Sequence, residues 1–194
     1  MPKTIQIVKE PNRVLRKIAE NVSVKDITSS KIQKLILAMK ETLKHTPLGV
    51  GLAAPQIGES LRIFLVSEEA EEIDHAEKKG WRRRRKENPS EKNPEPYETR
   101  DWRHYVFINP LVKNISKKKI EDSEGCLSVP EKYGTVKRHE KLTVEAHDET
   151  GKKFTRGASN FFARVLQHEL DHLNGTLFID KATKFFEPIR EGKR

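Results

Sequence analysis

The sequence predicts an α+β fold of mixed, mainly antiparallel strands packed around a central helix that carries a metal-binding HExxH motif. Three observations predict it. Phe161, Phe162, Val165, Leu166 and Leu173 recur at helical spacing around His168-Glu169-Leu170-Asp171-His172. Short β-rich runs occupy residues 61–66, 105–108 and 141–147. The last alternates cleanly, with Leu142, Val144 and Ala146 on one side. It leads through a turn at 149–152 into a return strand at 153–156, a hairpin and therefore an antiparallel pair.

Composition sets the limits. A chain of 194 residues is expected to form one domain, here 1–194, with a core of useful size. Hydrophobic residues make up 35% and charged residues 35%, polar but still globular. The single cysteine, Cys126, excludes an internal disulfide and fits a reducing compartment. No apolar run approaches the ~18 residues of a membrane span. The first residues lack a signal-peptide core, so a cytoplasmic location is expected, with neither membrane nor DNA as partner.

The N-terminal third is mostly scaffold. Ile5, Ile7 and Val8 precede Pro11-Asn12-Arg13-Val14-Leu15-Arg16. Ser30-Lys31-Ile32-Gln33 has a capping-box pattern. Ile32, Leu35, Ile36, Met39 and Leu43 then predict an amphipathic helix ending near 45–47. Residues 49–58 read as a glycine-rich loop before a strand. A phosphate loop would need a Lys-Ser/Thr pair and a following helix, and neither is there. The glycines alone indicate a tight turn, but the Gln56 amide could donate to a developing oxyanion.

Residues 68–104 are unusual. Acids fill the first part, 68–77, and bases the second, 78–86, which includes Arg82-Arg83-Arg84-Arg85. The segment as a whole is nearly neutral, so a solvated or self-paired loop is expected in preference to a nucleic-acid patch. The net charge of +9 therefore resides in the rest of the chain. After the strand at 105–108, closed by Asn109-Pro110, a lysine-rich edge is expected at 111–120. A short basic tail is expected at 181–194.

On a helix, residues four apart lie on one face, so His168 and His172 can reach one metal ion. Glu169 can then meet a bound water without being a ligand. A catalytic site of this kind usually has three protein ligands. A third histidine at the HExxHxxGxxH position is ruled out, because Phe178 stands there. Glu187 and Glu191 lie in a charged tail, a poor place for a rigid ligand. Cys126 remains, and a thiolate with two imidazoles is an established set.

Three stretches carry a family resemblance. Gly49-Val50-Gly51-Leu52-Ala53-Ala54-Pro55-Gln56, Glu124-Gly125-Cys126-Leu127-Ser128 and His168 to His172 resemble the three signature motifs of peptide deformylases, in the family's order. The resemblance spans about 7–180, with 68–104 as an insertion. It implies a hydrolase that removes the formyl group from N-formylmethionyl nascent polypeptides and releases formate. Metal-bound water would attack the formyl carbon, with Glu169 as general base and acid. Gln56 and the Leu127 N–H would hold the oxyanion. The Val50-Gly51-Leu52 backbone would pair with the peptide, Gly125 and Val165 would line its site, and Glu124 would support the ligands.

The resemblance further implies one divalent metal per chain. Fe(II) is expected in the cell, and Zn(II), Ni(II) and Co(II) are compatible with the ligands. It also raises transient ribosome association through the basic surface, although the tail is short and broken by Pro188. Two other classes share features of this sequence: a zinc endopeptidase, and a non-catalytic metal-stabilised RNA-binding protein.

Overall fold

The structure is a computed structural model and describes residues 4–78 and 102–186. Helix α1 spans Ser30–Lys44. Its N-cap is Ser29, one residue before the expected capping box, and the Ser29 side chain accepts from the Ile32 N–H. Strand β1 (Gly51–Ala53) passes into a 3-10 turn at Ala54–Ile57, so the glycine-rich loop is partly regular. Strand β2 spans Ile63–Ser67 and helix α2 spans Glu69–Lys78. Strands β3 (His104–Ile115), β4 (Lys119–Cys126), β5 (Val129–His139), β6 (Lys141–His147) and β7 (Lys153–Ser159) follow. Helix α3 (Asn160–Leu173) and strand β8 (Lys184–Phe186) complete the order.

The expected mainly antiparallel architecture is present. A five-stranded sheet runs β1-β2-β3-β6-β7 and a three-stranded sheet runs β4-β5-β8. All pairings between these strands are antiparallel, and an isolated Glu20–Leu61 bridge is parallel.

The larger sheet is covered on both faces. Phe64 and Val66 of β2 face α3, in a core with Phe107, Val144, Phe162, Leu166 and Leu170. Ile63 and Leu65 face α1, packing with Ile36, Met39, Leu43, Val106 and Ile108. Successive strand residues point to opposite faces, so a strand buried on both sides is apolar throughout. That is why residues 61–66 lack the alternation of β6. A third cluster, built on Leu15, Val129, Val136, Leu177 and Phe178, supports the loop of Cys126.

Three expectations change in detail. The strand at 105–108 does not stop at Asn109-Pro110. It continues to Ile115 through a register shift between Ile108 and Leu111, where Asn109 takes φ 51°. Asn109 Oδ1 accepts from the Val22 N–H and its Nδ2 donates to the Val22 carbonyl, which anchors the irregularity. The lysine-rich edge expected at 111–120 is therefore divided between β3 and β4. The acidic start of the 68–104 segment is helical, with Glu69, Glu71 and Glu72 in the first turn, where a helix dipole favours them. The basic run at 81–86 and Pro188 lie outside the described residues.

Helix α3 ends as its sequence suggests. The Gly175 N–H bonds the His172 carbonyl, and Gly175 takes φ 69° just beyond the Asn174 cap. A Cβ there would also lie 2.6 Å from the Arg16 carbonyl oxygen, so both conformation and space favour glycine.

Candidate metal centre

Helix α3 is buried along most of its length, and it presents His168 and His172 on one face with ring centroids 4.9 Å apart. Strand β4 delivers Cys126 at its end, where a register shift between Gly125 and Cys126 turns the chain out of the ladder. Cys126 Sγ lies 3.2 Å from His172 Nε2. One donor atom each from Cys126, His168 and His172 falls within a 4.8 Å group. The ligand set expected from two separate stretches is thus assembled at one point.

Buried charges orient the first histidine. His168 Nδ1 is 3.1 Å from Glu124 Oε2, so its N–H can donate there and leave Nε2 free for a metal. Arg138 grips the same carboxylate with two bonds of 2.8 Å, and Arg164 adds one of 2.6 Å. Arg138 also pairs with Asp171, which in turn pairs with Lys181. Burial alone would raise the Glu124 pKa, but Arg138 and His168 outweigh it and hold the carboxyl well below the usual range. Burial opposes a charge on His168 too, yet Cys126 and Glu124 push its pKa well above that of free imidazole. A proton held there is one that a metal would displace. For His172, burial and the neighbouring His168 act together to keep the ring neutral, the state a ligand needs.

Glu169 differs from Glu124. It is 3% exposed, and its Oε2 has no hydrogen-bond partner among the described residues. Burial pushes its pKa up to about 7. Gln56 is also buried; its Oε1 accepts from the Ala53 N–H at 2.8 Å, which fixes the amide. The opposite end, Nε2, points at Cys126 Sγ from 3.7 Å. A soft thiolate, two imidazoles and an orphaned carboxylate beside them suit a divalent transition metal.

Cys126, His168, Glu169 and Gln56 line a cleft of about 470 Å³, together with Val50, Gly51, Gly125, Leu127 and Val165, while His172 is buried behind it. Leu52 does not line it. Its side chain is fully buried on the α1 side of the sheet, so only its backbone belongs to the β1 edge. Arg138, Arg164, Asp171, Phe161 and Tyr133 are additions that the sequence reading missed. Arg164 had a signal, because it stands four residues before His168 on the same helical face. Arg138 had none, since its partner is reached only through the β4–β5 pairing.

Comparison with known proteins decides the family. The sequence pattern of polypeptide deformylase matches residues 4–186. The chain belongs to that family. Peptide deformylase 1A, chloroplastic/mitochondrial, of Arabidopsis thaliana is 38% identical over 179 residues, 91% of this chain and 60% of that protein. The chain thus spans about three fifths of that relative's length. The peptide deformylase of Symbiobacterium thermophilum is 37% identical over 187 residues, 96% of this chain and 70% of its own. A crystal structure of a Legionella pneumophila peptide deformylase superposes with a TM-score of 0.72 at 34% identity, covering 93% of this chain and 87% of that one. A class I type b enzyme of Acinetobacter baumannii with Met-Ala-Ser bound also has a TM-score of 0.72, at 31% identity, covering 93% of this chain and 99% of that one.

The three deformylase motifs, far apart in sequence, therefore meet at one cleft. β1 and its 3-10 turn bring the first, the end of β4 the second and helix α3 the third.

Proposed function

We propose that this chain is a metal-dependent hydrolase that removes the formyl group from N-formylmethionyl nascent polypeptides. The observation that carries the reading is the convergence of Cys126, His168 and His172 donor atoms beside an unpartnered, buried Glu169 carboxylate. Cys126, His168 and His172 would hold one divalent ion, Fe(II) in the cell. When bound, it supplies Lewis acidity, polarising the formyl oxygen and lowering the pKa of a water toward ~7.

The chain's own groups do the rest. Glu169 takes a proton from the attacking water as a C–O bond forms at the formyl carbon. The Gln56 Nε2–H and the Leu127 N–H donate to the oxygen as it gains charge, in a site already fixed by the Gln56–Ala53 bond. Glu169 then returns the proton to the amine nitrogen as the C–N bond breaks, giving formate and a free N-terminus. Strand β1 is an edge of its sheet, so the backbone at Val50-Gly51-Leu52 can pair with an extended peptide. Gly125 and Val165 bound the space for its methionine. We read 1–194 as one catalytic domain with an insertion at 68–104. Of location, no helix among the described residues is long and apolar enough to cross a membrane.

Formate release from formyl-Met-Ala-Ser tests this reading, using protein purified without oxygen and loaded separately with Fe(II), Ni(II) or Zn(II). Release that depends on metal and disappears in Glu169→Gln supports it. No release from folded protein that binds one metal per chain overturns it.

A further inference from the structure

The opening turn of the insertion is tied to the wall of the cleft. Ala70 of α2 is fully buried in the core that holds Phe162, Val165 and Leu166 of α3. One residue on, the Glu71 carboxylate accepts from the Tyr105 hydroxyl at 2.7 Å and pairs with Arg156 of β7. The Arg156 guanidinium lies 4.7 Å from the Tyr105 ring centre and 5.6 Å from that of Phe162. Tyr105 meets Phe162 edge-on at 6.1 Å. On α3, Phe161 and Val165 line the cleft, and so does Val50, which packs on the same core.

An exposed ion pair contributes little by itself. This one is half-buried, and its cation is stacked on two rings, where a cation–π contact adds to the pair. No described contact joins Glu71, Arg156 or Tyr105 to the metal ligands, Glu169 or Gln56. A direct route from it to the cleft wall runs through Phe162 in the first turn of α3.

We infer that Glu71 is a positioning residue: by holding Arg156 and Tyr105 against Phe162, it sets the cleft wall at Phe161 and Val165 and hence peptide affinity. Glu71 then acts on substrate binding and leaves the chemistry alone. This rests on the deformylase reading only for its kinetic readout.

The test compares Glu71→Ala and Glu71→Gln with the parent chain, all metal-loaded. Glu71→Ala is expected to raise KM for formyl-Met-Ala-Ser about fivefold, with kcat within about twofold and unchanged metal affinity. Hydrogen exchange over residues 160–167 should become about tenfold faster, with 168–172 unaffected. Glu71→Gln keeps the shape and one acceptor, for Arg156, but loses the charge and the acceptor for the Tyr105 hydroxyl, so it should fall between the two. Unchanged exchange at 160–167 overturns the inference, as does an unchanged KM in an active enzyme or a joint fall of kcat and metal affinity. A parent chain that releases no formate overturns the deformylase reading instead, and exchange alone then decides the role of Glu71.

Discussion

Gly51 leaves the Glu169 carboxylate room that a side chain would take. A Cβ built on Gly51 would lie 2.9 Å from Glu169 Cδ and closer still to Oε1. The glycine on β1 thus governs where the proposed proton carrier on α3 can sit. Gly51→Ala should displace that carboxylate, and a misplacement of about 1 Å can cost on the order of 100-fold in rate. Steady-state kinetics should show that loss in kcat/KM, while metal analysis still finds one ion per chain. Full activity in the variant would mean that Glu169 has another place to go.

Glu124 joins the two halves of the site, since it touches His168 on α3 and both Arg138 and Arg164. Glu124→Gln removes the charge that balances two buried guanidinium groups. Breaking a buried pair this way costs about 3–5 kcal/mol, measurable by denaturant unfolding. Loss of support behind a histidine ligand also weakens metal binding by about 10–100-fold, measurable by chelator competition. Arg138→Lys keeps a charge but not the two-pronged grip, and should show a smaller loss on both measures.

Metal removal should lower stability by mass action. At free metal about 1,000-fold above Kd, binding stabilises the fold by about 4 kcal/mol. For a protein of this size, 1 kcal/mol moves Tm by about 2–4 °C, so a strong chelator should lower Tm by about 10 °C. Cys126→Ala should show almost no chelator effect, because the ion has lost a ligand before the chelator arrives.

Asp148 gives a pH dependence away from the site. Its Oδ1 accepts from the Thr150 N–H, the Thr150 hydroxyl and the Lys152 N–H in the β6–β7 turn. Burial would raise its pKa, but these bonds outweigh it and hold the pKa below 3.8. A carboxylate with a depressed folded pKa stabilises the fold above its unfolded value, and loses that contribution as pH falls through the folded one. These bonds are solvent-exposed and screened, so Asp148→Ala should cost at most about 1 kcal/mol at pH 7, and the gap between variant and parent should narrow below about pH 3.8. Thermal unfolding at pH 7 and pH 3 would measure it; a gap that stays constant would show that the turn does not depend on the charge.

Much of the site could be read from local pattern. The histidine pair, Glu169 between them and the apolar stripe that buries their helix follow from helical periodicity. The β6–β7 hairpin follows from alternation and its turn. By contrast, β3 runs past Asn109-Pro110 because Asn109 bonds to Val22, 87 residues earlier, and no local pattern announces that partner.

The sequence by itself determined the candidate ligand types, the helix that carries two of them and the mainly antiparallel character of the strands. Periodicity and residue chemistry act over a few neighbouring positions, so these features can be read along the chain. Only the tertiary structure decided that Arg138 and Arg164, 14 and 40 residues from Glu124, share its carboxylate. It alone brought Gly51 against Glu169 and set Glu71 on Arg156. Those relationships come from packing two sheets around α3, and they exist only once distant segments are buried together.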